Sequence, residues 1–375
     1  MPRTRARPRS ARGGTAASTR AGPPHECGPR RPPRARALQL PLLLLALLLT
    51  LATAALPRHA RANPARGNHT SNWAVIVDTS AFWFNYRHAS NALAMYRAVK
   101  RGGLPDSQIL LFIAEDAACN SRNSRKGTVY DGRKQLYGSD VQIDYRGKEV
   151  TEENLLRVLM GRHPPGTPTS KRMLSDERSN VLVYMTGHGG DSFLKFRDTN
   201  VVSAPDLADA VVQMKAKRRF HEMLLIVDTC QGGTLFESLA SPDVATIASA
   251  ARAENSYSLS HDSDLGVSVI DRFTHYTLEY LEAHPSYADV SVGDMLRSYS
   301  PARLLSNPQV RSTLRRSLDD VPVSDFFAGA VDVRWRESEP LAPAARPALA
   351  AARVACDAPP PALRAEAWDP LLAWA

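Results

Sequence analysis

The chain has 375 residues, 43% of them apolar and 23% charged, a composition that fits a folded globular protein and excludes a disordered one. Its net charge of +9 sits wholly in residues 1–36, which hold ten arginines against one acid, Glu26. The rest of the chain is neutral, which excludes electrostatic binding to nucleic acid, because that needs a basic face on the folded domain.

The basic stretch leads into residues 42–56 (LLLLALLLTLATAAL), followed by small residues. This is the pattern of a secretory signal, with cleavage expected after Ala55 or Ala62, or of an uncleaved signal anchor. Residues 1–62 are therefore assigned as a basic N-region with a signal, and the mature protein is expected in a lumen. No other stretch approaches the ~18–20 apolar residues needed to span a bilayer. Asn68-His69-Thr70 is an acceptor sequon that makes Asn68 a glycosylation candidate.

The folded domain is expected over residues 72–335. Residues 72–78 (NWAVIVD) read as a buried strand. A helix follows over 90–100, where Ala92, Leu93, Tyr96 and Val99 share a face, and Gly102-Gly103 stops it. A second strand is expected over 109–114, a helix over 151–160, a third strand over 180–186 (NVLVYMT), a helix over 204–217 and a fourth strand over 223–228 (MLLIVD). Helical patterns recur at 272–282 and 292–298. Strands alternating with helices predict an α/β fold with a mostly parallel sheet, and fully apolar strands predict a sheet covered on both faces. Residues 336–375 are rich in Ala and Pro and are read as a tail with little fixed structure.

Four cysteines (Cys27, Cys119, Cys230, Cys356) are too few and too scattered for a disulfide framework. Cys27 precedes the signal core, so at most three are lumenal, and an odd number leaves one free or paired with another chain. Two strand ends carry the chemistry. The third strand runs into Thr186-Gly187-His188-Gly189-Gly190, the fourth into Asp228-Thr229-Cys230-Gln231-Gly232-Gly233. In a parallel sheet both open onto the same edge, where ligands gather. A Cys230 thiolate attacking a carbonyl, with His188 moving the proton, forms a thioester acyl-enzyme. The N–H groups of Gly189 and Cys230 are placed to hold the oxyanion. Asp228 is expected to line the substrate pocket. No paired Cys or His falls at metal-ligand spacing, so neither metal nor cofactor is expected.

YMTGHGG (184–190) and DTCQGG (228–233) resemble the catalytic subunits of glycosylphosphatidylinositol (GPI) transamidases, a family related to legumain. The likeness extends through FWFNYRH (82–88), YRAVKRGGLPDSQI (96–109), ACN (118–120), DERSN (176–180), SLSH (258–261) and VSDFF (323–327). The resemblance implies a caspase/legumain-like three-layer α/β sandwich. It also implies an enzyme that removes a C-terminal hydrophobic signal from proproteins in the endoplasmic reticulum and passes the acyl group to the ethanolamine amine of a GPI lipid. On that resemblance Asn85 supports His188, and Arg87, His88 and Ser258 shape the acyl-side pocket. Cys119 matches a residue that makes a disulfide to a partner subunit. Relatives of this fold bind calcium, and the resemblance makes Asp106 and Asp144 candidate ligands, but isolated loop acids of this kind are expected to be simply solvated. The chain lacks the C-terminal membrane helix of animal and fungal members, so the resemblance implies membrane attachment through the other subunits of the complex. Two other readings stand beside this one: a legumain-like endopeptidase, in which water replaces the lipid amine, and a non-catalytic assembly subunit.

Overall fold

The computed structural model describes residues 69–329. The signal at 1–62, Asn68 of the sequon, Cys27, Cys356 and the tail at 336–375 lie outside them. In chain order the described elements begin with β1 (Ser71–Asp78), α1 (Tyr86–Arg101), β2 (Ile109–Ile113), β3 (Tyr145–Arg146), α2 (Glu152–Met160) and β4 (Ser179–Thr186). A hairpin sheet of β5 (Gly189–Gly190), β6 (Phe193–Phe196) and β7 (Asn200–Ser203) follows, then α3 (Ala204–Ala216), β8 (Met223–Asp228) and β9 (Val244–Ala248). The remainder comprises β10 (Ser258–Asp262), β11 (Val267–Asp271), α4 (Arg272–Ala283), α5 (Val292–Ser298), α6 (Pro301–Leu304), β12 (Gln309–Ser312) and α7 (Ser324–Phe327).

Seven strands form the main sheet in the order β12-β9-β8-β4-β1-β2-β3. Every pairing is parallel except β12 with β9, and the middles of the central strands β1, β4 and β8 are apolar and buried because both faces are covered. Side chains alternate between those faces. Ala74, Ile76, Leu182, Tyr184, Leu224 and Ile226 pack with residues of α1, α4 and α5. Val75, Val77, Val181, Val183, Leu225 and Val227 pack with residues of α2 and α3. The result is the expected three-layer sandwich with a mostly parallel central sheet.

Local chemistry sets the helix ends. The Thr151 side chain accepts the Asn154 N–H at 3.1 Å to start α2, and Gly161, at φ 66°, ends it. Ser203 and Asp206 form a reciprocal capping box for α3. Helix α1 starts at Tyr86, four residues before the expected Ser90, because the single 3-10 turn Trp83–Asn85 feeds directly into it. The buried Trp83 indole bolts that turn down by donating to Leu265 O at 3.2 Å.

Asp106 and Asp144 are not solvated loop acids. Asp144 is buried and accepts the Leu111 N–H at 3.0 Å and a Gln142 amide proton at 3.2 Å, and burial pushes its pKa up to about 6. Asp106 is held by the Tyr96 hydroxyl at 2.6 Å and the Lys100 ammonium at 2.7 Å.

At the opposite edge of the sheet from the chemistry-bearing loops, Arg316 sits between two buried acids. Its guanidinium donates to Glu222 and, at 2.7 Å, to Asp325. Removing the cation leaves two buried carboxylates without their partner. Arg316→Met is expected to destabilise the fold by about 3–5 kcal/mol, read as a lowered denaturation midpoint at unchanged slope. An unchanged midpoint would mean that neither acid depends on it.

Candidate active site

Strands β4 and β8 are parallel neighbours with Thr186 directly opposite Asp228. His188 and Cys230 each lie two residues past that pair, so the two side chains leave adjoining strand ends at the same level. The Gly187 N–H donates to Asp228 O at 3.3 Å and carries the ladder one step beyond the strands. A Cβ on Gly189 would stand 2.5 Å from Thr229 Oγ1 and 2.9 Å from Phe193 O. Only glycine lets the two loops come this close.

Asn85, at the end of the turn after β1, is buried, and its amide donates to Ala81 O at 2.7 Å. That bond fixes the amide so that Asn85 Oδ1 faces His188 Nε2, at 2.7 Å. With Nε2 donating, His188 presents its other nitrogen as a base. Burial, and then the charge of Arg87, hold the His188 pKa below the ordinary 6.5, so the imidazole is neutral at pH 7. His88 meets His188 edge to face, with ring centroids 5.0 Å apart. Its own pKa is held well below the ordinary value by burial, Arg87 and His188. His88 is thus a neutral ring, tied to Ser80 Oγ at 2.8 Å, and adds no charge to the site.

Cys230 is half-buried and is the free cysteine among the described residues. The flanking N–H groups are engaged: Thr229 donates to Ser249 Oγ at 3.0 Å and Gln231 to Glu254 O at 2.9 Å. The Cys230 N–H has no acceptor among the described residues. Gln231 adopts a left-handed φ of 55°, turning the chain sharply behind the cysteine. Across the gap, Lys195 N–H donates to His188 O at 2.8 Å, and Gly189 pairs opposite Leu194. In an antiparallel pair hydrogen bonding alternates, so the Gly189 N–H points away from β6. Two unengaged amides therefore stand near the cysteine and the histidine, which is the donor set an oxyanion needs.

The acids behave differently from a simple pocket lining. Asp228 is buried and both its oxygens are occupied, one by Ser256 Oγ at 2.6 Å and the other by Thr274 Oγ1 at 2.6 Å. It anchors the segment leading to Ser258 and presents no free carboxylate. Ser258 is exposed and accepts a hydrogen bond from Ser268 Oγ at 3.2 Å. Sequence reading passed over Asp271, the last residue of β11. Arg87 Nε donates to its Oδ1 at 3.1 Å, and Asn91 donates to its Oδ2 at 2.6 Å while accepting its N–H at 3.0 Å. Burial, then the neighbouring Asp228, push the Asp271 pKa up to about 7, against the pull of Arg87. The signal available in the sequence was an acid directly before a helix at Arg272, a capping position. Asn91 lay hidden on a helix read for its apolar face. Cys119 lies on the loop after β2 and is disulfide-bonded. No cluster of three or more metal-ligating side chains occurs among the described residues.

A free cysteine and a neutral histidine on adjoining strand ends of a mostly parallel α/β sheet, with unengaged amides beside them, define a cysteine-dependent peptidase or acyl-transfer enzyme. Residues 72–302 match the Peptidase C13 family, and the chain belongs to that family. Among its relatives, the GPI-anchor transamidase of Schizosaccharomyces pombe is 50% identical over 274 residues, 72% of each chain. The putative GPI-anchor transamidase of Caenorhabditis elegans is 50% identical over 267 residues, 70% of this chain and 84% of that one. The human GPI-anchor transamidase is 48% identical over 266 residues, 70% of this chain and 67% of that one. The crystal structure of Caspase-1 from Spodoptera frugiperda aligns with a TM-score of 0.38 at 14% identity, covering 66% of this chain and 88% of that one.

Proposed function

We propose that the chain is the catalytic subunit of a GPI-anchor transamidase. It works in the lumen of the endoplasmic reticulum and is held at the membrane by the other subunits of its complex. The reading is carried by one observation: a chain half identical to proteins of that name places a free Cys230 level with a tethered, neutral His188. Among the described residues no helix is long and apolar enough to cross a membrane.

In this reading His188 takes the Cys230 proton and the sulfur attacks the carbonyl at the attachment site of a proprotein. The Gly189 and Cys230 N–H groups hold the oxyanion. As the C–N bond breaks, His188 gives its proton to the leaving nitrogen and the C-terminal signal departs, leaving a thioester. The ethanolamine amine of the GPI lipid then attacks that thioester. His188 accepts the ammonium proton, the C–S bond breaks, and the returned proton restores the thiol. Arg87 and His88, braced by Asp271, form the acyl-side pocket together with Ser258. Cys119 is the residue proposed to make the disulfide to a partner subunit.

A legumain-like endopeptidase shares the first half of this sequence and differs in its acceptor. Product chemistry separates the two. With GPI lipid supplied, the processed proprotein is expected to carry an ethanolamine amide at its new C-terminus, detected by mass spectrometry. A free carboxylate as the main product would replace the transamidase reading with the endopeptidase.

A further inference from the structure

The hairpin sheet that follows His188 carries two cations that the proposed reaction leaves unused. Gly189 pairs with Leu194 and Gly190 with Phe193, and the Lys195 N–H donates to His188 O at 2.8 Å. Carrying that register one step further sets Lys195 opposite His188, so the two side chains share one face of the hairpin. Leu194 and Phe196, the alternate residues of β6, are buried on the other. Burial and Arg87 dominate the depressed pKa of His188. Asp198 and then Lys195 act on it with opposite signs, so both charges reach the ring. The Lys195 ammonium is partly exposed and pairs with Asp198 Oδ1 at 2.9 Å.

That ion pair is built into a strained turn. Arg197 (φ 50°) and Asp198 (φ 61°) are consecutive left-handed residues, neither of them glycine, at the tip between β6 and β7. The Arg197 N–H donates to Thr79 O at 2.8 Å, which fixes the tip against the end of β1. Its guanidinium lies beside Gly147 and has no carboxylate partner among the described residues. One acid therefore faces two cations, and the tip keeps a surplus positive charge at the catalytic edge.

The two faces of the main sheet say what that charge meets. The proposed acyl-side pocket, Arg87 and His88 braced by Asp271, belongs to α1 and β11, which pack on the face holding Ile76, Tyr184 and Ile226. Leu194, Phe196 and Val202 of the hairpin pack on the opposite face, with Val75, Val183 and Leu225. Cys230 and His188 stand on the edge between them. A carbonyl carbon bound to the sulfur, with its acyl chain toward the first face, presents its nitrogen toward the second. His188 protonates the departing nitrogen and deprotonates the arriving one, so the acceptor amine takes the position that the leaving group vacates. In a GPI lipid that amine lies one ethylene unit from a phosphodiester, an anion at neutral pH. We propose that Lys195, with Arg197 behind it, is the binding site for the phosphodiester of the acceptor's ethanolamine phosphate. This deepens the transamidase reading and rests on it.

The test uses the detergent-solubilised complex carrying each full-length variant, a peptide spanning the cleavage site, and two acceptors with the same amine. Glycerophosphoethanolamine carries the phosphodiester and ethanolamine lacks it. The quantity read is the ratio of their half-saturating concentrations, in which a general loss of activity cancels. The unmodified complex is expected to favour the phosphodiester acceptor. Lys195→Ala should reduce that preference about 10-fold, and Lys195→Arg should restore most of it. Asp198→Asn keeps a residue that tolerates the left-handed turn and frees the ammonium, so it should strengthen the preference about 3-fold. Equal half-saturating concentrations in the unmodified complex, or a ratio that neither substitution moves, would overturn the proposal. So would a Lys195→Ala defect confined to peptides with an acidic residue on the leaving side, which gives the cation to the peptide. Inorganic phosphate that raises transfer to bare ethanolamine would overturn it too, in favour of a free anion. Failure of the parent reading looks different: product that still forms with Cys230→Ala, or a free carboxylate whichever acceptor is supplied.

Discussion

Cells that depend on this chain and carry Cys230→Ala are expected to anchor no measurable GPI reporter, with the rate of signal removal down at least about 10⁴-fold. In the proposed reaction the sulfur holds the acyl group between the two halves, so its loss cannot be offset by the remaining donors. Those donors, the Gly189 and Cys230 N–H groups, survive the change because both belong to the backbone. The protein itself should be intact. Cys230 is half-buried at a loop after β8, outside both packed cores, and alanine there removes one atom without opening a cavity. Uncleaved proprotein should accumulate while the variant still assembles with its partners. Normal anchoring would instead recast the chain as a non-catalytic assembly subunit, and Cys230 as a bystander.

His188→Ala should cost nearly as much, about 10³–10⁴-fold, because in the proposed reaction one imidazole serves both proton transfers. Asn85→Ala keeps that imidazole but frees it to turn, and misplacement of a reacting group by about 1 Å costs on the order of 10²-fold. The ordering of the two variants is the informative part. If Asn85→Ala were as damaging as His188→Ala, Asn85 would be acting on the substrate and not through the ring. The acid limb of the pH–rate profile carries the same signature. Burial and the Arg87 charge lower the His188 pKa, so the neutral base persists below pH 6.5 and activity falls only as pH drops through that depressed value. Arg87→Gln removes a cation that disfavours imidazolium. The acid limb should then move to higher pH, beside any loss in substrate binding. A limb that stayed in place would separate Arg87 from the proton chemistry.

The elements legible in the sequence were those whose signal is local. β1, β2, β4 and β8 are continuous apolar runs, and their chain ends carried Gly-His-Gly and Cys-Gln-Gly-Gly in plain view. Strands missed by that reading owe their structure to partners. β12 (QVRS) is exposed along its whole length and is a strand because it pairs antiparallel with β9. β9 (VATIA) is fully buried, but its small residues and threonine blur the apolar run. β5 is two glycines, which form a strand only against β6. The same distinction holds in the site. His188 and Cys230 announce themselves by motif, and Asn85 by resemblance. Asp271 and Asn91, 180 positions apart, could be joined only by the fold that sets β11 against α1. The expected exposure of Asp144 failed for a like reason: its hydrogen-bond donors are Leu111 and Gln142, and burial follows from the packing of β2.

The two-sided core has a consequence for how such an enzyme can change. β8, β4 and β1, whose tips bear Cys230, His188 and Asn85, are sealed on both faces, so they belong to the part of the molecule that opens last in hydrogen exchange. Of the groups proposed to meet a substrate, Ser258 stands exposed at the start of the small β10–β11 sheet and Arg87 is partly exposed at the start of α1, at the rim of that core. Substitutions can therefore accumulate at the rim, and preferences for one signal sequence over another can drift, while the reacting atoms keep their spacing. Reaction and selectivity are inherited as separate traits on one scaffold.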